Sequence, residues 1–162
     1  MHLDSRSALE KMGFTGFSTI ATLLKNRCDD IPKEKGVYLV MLRSLAPPNF
    51  LARSTGGFFK GKDPTTKITE LKKAWVGGTR ILYIGKAGNT LRSRILSLVK
   101  FGCGCDVGHY GGRYLWQLDS SQDLLVCWKV VYNQNPRVVE KQLLAAFADE
   151  HDGLLPYANL NR

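Results

Sequence analysis

The sequence predicts a mixed α/β fold, a small three-stranded sheet with helices packed against it. Three observations carry that prediction. Runs rich in Val, Ile, Leu and aromatic residues occur at 35–42, 80–85 and 124–132, each a candidate strand. Between and after them, apolar residues recur at helical spacing. A length of 162 residues, with 44% apolar and 23% charged side chains, suits one domain that buries its own core.

The elements follow in order. A helix is expected over 17–27, where Ile20, Leu23 and Leu24 share a face. Together with its flanks it makes residues 1–34 a helical N-terminal extension. A glycine turn enters the first strand at Gly36. Pro47-Pro48, Gly56-Gly57 and Gly61 mark 44–64 as loop. Asp63-Pro64 then starts a helix through Ile68, Leu71 and Trp75, stopped by Gly77-Gly78. The second strand leads to a helix capped by Asn89 or Thr90 and running to about Lys100. Residues 102–113 are glycine-rich and read as a loop that holds His109. After the third strand, Asn135-Pro136 opens a last helix expected to reach Gly153.

Charge narrows the classes of function. The net charge is +9, and residues 60–113 hold eleven Lys or Arg against three acids. Residues 114–162 hold four bases and six acids. A basic middle beside an acidic tail suits a phosphate backbone, and equally a plain solvated surface. No apolar run approaches the ~20 residues that cross a bilayer, so no membrane partner is expected. The N-terminus lacks a signal pattern, which points to a cytoplasmic protein, nucleoid-associated if the source is bacterial. Cys28, Cys103, Cys105 and Cys127 are read as free thiols. Cys103-Gly104-Cys105 with His109 is spaced too tightly for an ordinary zinc pair, and no second pair lies nearby.

Two charged residues fall where the helical pattern wants apolar ones. Glu140 shares a face with Leu143, Leu144 and Phe147, and Arg94 lies between Leu91 and Leu98. A carboxylate on an apolar stripe is costly unless paired or bound to a cation. Long side chains at a stripe's edge often snorkel to solvent. Two of opposite sign on separate helices raise the alternative of a shared polar cleft.

Gly36-Val37-Tyr38 on one strand and Tyr83-Ile84-Gly85 on the next resemble the paired motifs of the GIY-YIG nuclease superfamily. Further matches arrive in family order. Lys86 follows the second triplet, Leu91-Arg92-Ser93-Arg94-Ile95 is similar to the arginine-bearing helix start, Glu140 lies early in a later helix, and Asn159 follows. The resemblance covers about residues 35–161. It departs in Val37 for Ile and in an insertion at 44–78 between the tyrosines, similar to the family's restriction-enzyme branch, with repair and stand-alone members as alternatives. Arg94 is preferred to Arg92 for the arginine, and Asn161 competes with Asn159.

The resemblance implies a three-stranded antiparallel sheet flanked by helices, within one nuclease domain over 1–162. It implies an endonuclease hydrolysing phosphodiester bonds in DNA, RNA not being excluded. One Mg²⁺ or Mn²⁺ would sit on Glu140 with waters completing its shell, as hard ions accept. Arg94 would clamp the phosphate with its bidentate fork. Tyr38 and Tyr83 would position or deprotonate the attacking water, though a phenol of pKa about 10 needs a nearby cation to act as a base. Lys86 is the candidate for that cation. His109 is a rival base because imidazole titrates in the right range. Asn159 would brace the site.

Each residue has a plainer reading: the tyrosines as core aromatics, Lys86 as solvated, His109 as a loop residue, Asn159 as a turn residue. The ordered coincidence favours function for Tyr38, Tyr83, Arg94 and Glu140. Lys60, Lys62, Arg92 and Arg113 are candidate nucleic-acid contacts, on phosphates or base edges. The competing functions are an inactive nucleic-acid-binding module of the same fold and a domain whose basic face meets an acidic protein. A lone domain cutting both strands would dimerise or act twice.

Overall fold

A computed structural model describes residues 2–160. The fold is a mixed α/β one, a central antiparallel sheet flanked by helices, and the sheet has four strands rather than three. They are β1 (Thr15–Thr19), β2 (Gly36–Met41), β3 (Ile81–Ala87) and β4 (Leu125–Val130), in the order β1-β4-β2-β3. All neighbours are antiparallel. The helices are α1 (Arg6–Lys11), α2 (Ile20–Lys25), α3 (Ile68–Ala74), α4 (Leu91–Gly102) and α5 (Pro136–Glu150). Among the described residues no helix is long and apolar enough to cross a membrane.

The additional strand corrects the reading of 1–34 as purely helical. Residues 17–19 belong to β1, and α2 begins only at Ile20, where the Thr19 hydroxyl accepts from the Thr22 N–H. The strand has a bulge, since the register shifts between Gly16 and Ser18 and Phe17 sits at φ 52°. Gly16 is at φ 97°, and a Cβ there would lie 2.4 Å from the Trp128 ring. No period-2 alternation marks so distorted a strand, so its helical neighbours decided the sequence reading.

The other departures have local causes. The helix expected from Asp63 starts at Ile68, because 65–66 are committed elsewhere. Thr65 Oγ1 accepts from the Ser54 N–H, and the Thr66 N–H donates to Gln117 Oε1. Asp63 closes a turn on the Thr65 N–H instead. The loop at 102–113 gives way at Tyr110 to a 3₁₀ segment, Tyr110–Gln117. The last helix is capped by Asn135 as expected and ends at Glu150, short of Gly153.

All six β2 residues are buried, because β2 is flanked by β3 and β4 and covered on both faces. One face carries Tyr38 and Val40 against Ile20, Leu91, Ile95, Leu98 and Trp116. The other carries Val37, Leu39 and Ile84 against Leu9, Leu143 and Phe147. Strand β3 is an edge of the sheet, so residues on either of its faces can meet around that edge.

Candidate active site

The first tyrosine is held by a glycine. Tyr38 pairs in register with Gly85 on β3, and its ring lies across that residue. A Cβ on Gly85 would fall 2.5 Å from Tyr38 Cζ and 2.6 Å from its Oη. Gly36 is similarly required by close approach: its Cβ would meet the Lys129 carbonyl oxygen at 2.1 Å. Tyr38 is fully buried, and its hydroxyl lies 2.7 Å from His109 Nε2. Tyr83, paired with Val40, is half-buried, with its ring 6.0 Å from that of Tyr38 and 5.7 Å from that of His109.

Helix α4 starts at the Thr90 cap, whose hydroxyl accepts from the Ser93 N–H, and its first turns carry Arg94 towards the same ring cluster. Arg94 donates through Nη1 to the Gly108 carbonyl at 2.6 Å, which fastens the His109 loop to α4. Burial pushes the Tyr38 pKa up, aided by Tyr83, against the lowering influence of Arg94. Burial also raises Tyr83, opposed by Arg94 and by its contact with Tyr38. His109 moves the other way, down to about 3, first through burial and then through the Arg94 charge. It is therefore neutral. Its Nδ1 is buried and has no hydrogen-bond partner among the described residues.

The second half of the site lies on the other side of the β3 edge. Lys86 Nζ is 3.6 Å from Glu140 Oε1 on α5, their side chains being 45% and 17% exposed. The carboxylate on the apolar face thus sits at the stripe's margin, paired with a cation. Asn159 lies along β3: the Ile84 N–H donates to its Oδ1 and its Nδ2 donates to the Ile84 carbonyl, both at 2.9 Å. With the Ala158 N–H donating to the Leu82 carbonyl, the C-terminal segment pairs with the edge as a strand would. Asn161, the competitor, lies outside the described residues.

Tyr83, Lys86, Glu140 and Asn159 line one cleft of about 300 Å³, with Gly111, Arg137, Lys141, Leu144 and Leu160. Among the described residues Glu140 is its sole carboxylate. Among the described residues no three His, Cys, Asp or Glu gather at one point. A single carboxylate with open volume beside it could hold a hard ion such as Mg²⁺ or Mn²⁺ that keeps most of its waters, and does not suit zinc. Glu140 is the residue that would hold the ion.

The predicted nucleic-acid contacts separate. Arg113 lies 4.4 Å from the Tyr110 ring centre and Lys62 5.9 Å from it, so both cations flank a ring next to His109. Lys60 stands over Phe59 on the insertion. Arg92 is spent elsewhere: its Nε donates to the Ile31 carbonyl and its Nη2 to that of Asp29, both at 2.8 Å. It latches the 29–31 segment to α4. The sequence reading missed Arg137 and Lys141, although their offsets of −3 and +1 from Glu140 on one helix were visible. No family model matches the chain, and no curated protein or solved structure matches it either.

Proposed function

We propose that this chain is an endonuclease of the GIY-YIG kind, hydrolysing phosphodiester bonds in DNA with one Mg²⁺ or Mn²⁺ on Glu140. The observation that supports this reading best is the gathering of Tyr38, Tyr83, Lys86, Arg94 and Glu140 about one sheet edge. They come from β2, β3, α4 and α5, and packing alone does not ask for two cations and a carboxylate there.

Each side chain has work it can do. Arg94, held on the Gly108 carbonyl and beside the Tyr38 and Tyr83 hydroxyls, offers its fork to the phosphoryl oxygens. Tyr83, the phenol that lines the cleft, stays protonated at neutral pH and holds the attacking water by hydrogen bonding. Tyr38 is fully buried and acts behind it, its hydroxyl oriented by neutral His109. Lys86 neutralises Glu140 in the free protein and, released from it, offers a second charge to the phosphate. Asn159 keeps the β3 edge paired so that Tyr83 and Lys86 hold their directions. The ion, when bound, supplies Lewis-acid charge and a more acidic water.

The test is plasmid cleavage by wild type and Glu140→Gln with Mg²⁺, Mn²⁺ or EDTA. The expected result is metal-dependent cutting that falls about a hundredfold or more in the variant, with DNA binding retained. A wild type that binds plasmid, branched DNA and RNA but cuts none of them is the binding module instead.

A further inference from the structure

Helix α5 presents a second stripe that the sheet does not use. Leu143 and Phe147 are buried against the sheet. Arg137, Lys141, Leu144 and Ala148, at helical spacing, line a separate cleft of about 380 Å³ with Ala145 and Leu155. Its walls are apolar apart from the two cations. Arg137, Lys141 and Leu144 also line the catalytic cleft, so the two spaces share a border. Neither cation takes part in an ion pair among the described residues, and both are exposed.

Two cations without an ion pair among the described residues, at the border between a catalytic cleft and an apolar groove, match the chemistry of one nucleotide. Its phosphate needs charge and its sugar and base need an apolar wall. We propose that this groove is a nucleotide subsite: the residue next to the scissile phosphate sets its own phosphate on Arg137 and Lys141 and lays its sugar and base along Leu144, Ala148 and Leu155. The assignment rests on the nuclease reading above. A protein partner would find the same apolar wall, but the continuity with Glu140 and the two exposed cations favour nucleic acid. The subsite adds no chemistry. It fixes which phosphate of a strand reaches Arg94 and Tyr83 and extends the footprint on one side of the cut.

The experiment measures affinity for a fluorescent duplex across a salt series, with Ca²⁺ in place of the catalytic ion, and cleavage of the same duplex with Mg²⁺. Arg137→Ala/Lys141→Ala should bind at least about tenfold more weakly and lose about one from the slope of log K against log salt, as for one phosphate released. Ala148→Trp, which fills the groove without altering charge, should weaken binding while leaving that slope unchanged. Lys11→Ala/Lys25→Ala, on α1 and α2, is the control for bulk charge, and circular dichroism verifies folding of each variant. If wild type binds and cuts but the first variant keeps its slope, the subsite is wrong and the nuclease reading stands. Unchanged affinity in Ala148→Trp also overturns the subsite, leaving two surface cations. If wild type neither binds nor cuts, both readings fall together.

Discussion

Gly85 is glycine because Tyr38 occupies the place of its side chain. The ring cannot retreat, being fully buried with its hydroxyl fixed on His109. Gly85→Ala should therefore cost about 1–3 kcal/mol from overpacking and displace the phenol from His109. Gly88→Ala, where a Cβ meets nothing within 4 Å, is the matched control and should be nearly neutral. Thermal melts of the two variants beside wild type check this, and on the proposed function only Gly85→Ala should also lose cleavage. A Gly85→Ala protein with wild-type stability would mean that Tyr38 has room the packing does not provide.

At the scale of the element, β3 is an edge strand whose outer side is sealed by Asn159 and Ala158 rather than by another strand. The carboxamide serves one N–H and one carbonyl of Ile84 together, which an isosteric apolar side chain cannot do. Asn159→Leu should destabilise by roughly 1–3 kcal/mol through the two unpaired backbone groups. Asn159→Asp keeps the acceptor and loses the donor, so it should fall between. Hydrogen exchange at the Ile84 amide reads the element directly: faster exchange in Asn159→Leu is expected, and unchanged protection would assign the seal to Ala158 alone.

For the whole molecule, His109 couples the site to stability. Its folded pKa of about 3 lies below the unfolded value of 6.5, so the unfolded chain binds the extra proton first as pH falls. Its contribution to stability is complete above pH 6.5 and is lost as pH drops towards 3. At pH 5 the loss is on the order of 2 kcal/mol, from about 1.4 kcal/mol per unit. Denaturant melts of wild type and His109→Gln at pH 7.5 and 5 should show wild type losing that much more. Equal losses would place the acid sensitivity elsewhere, among the carboxylates.

Residue chemistry and local periodicity sufficed for β2, β3, β4 and the cap of α5, and narrowed the cap of α4 to Asn89 or Thr90, of which the structure uses Thr90, because apolar strand runs and capping residues act over a few positions. The candidate residues Tyr38, Tyr83, Arg94 and Glu140 were legible for the same reason: type, order and spacing are written in the chain. Tertiary structure decided the rest. Strand β1 exists because β4 offers it an edge and Gly16 bends around Trp128, neither of which is local. The start of α3 moved because Gln117, 51 residues away, claimed the backbone of Thr66. Only packing could bury His109 against Tyr38 and turn Arg92 away from the site. Those depend on which faces meet, and a linear pattern specifies faces without naming their partners.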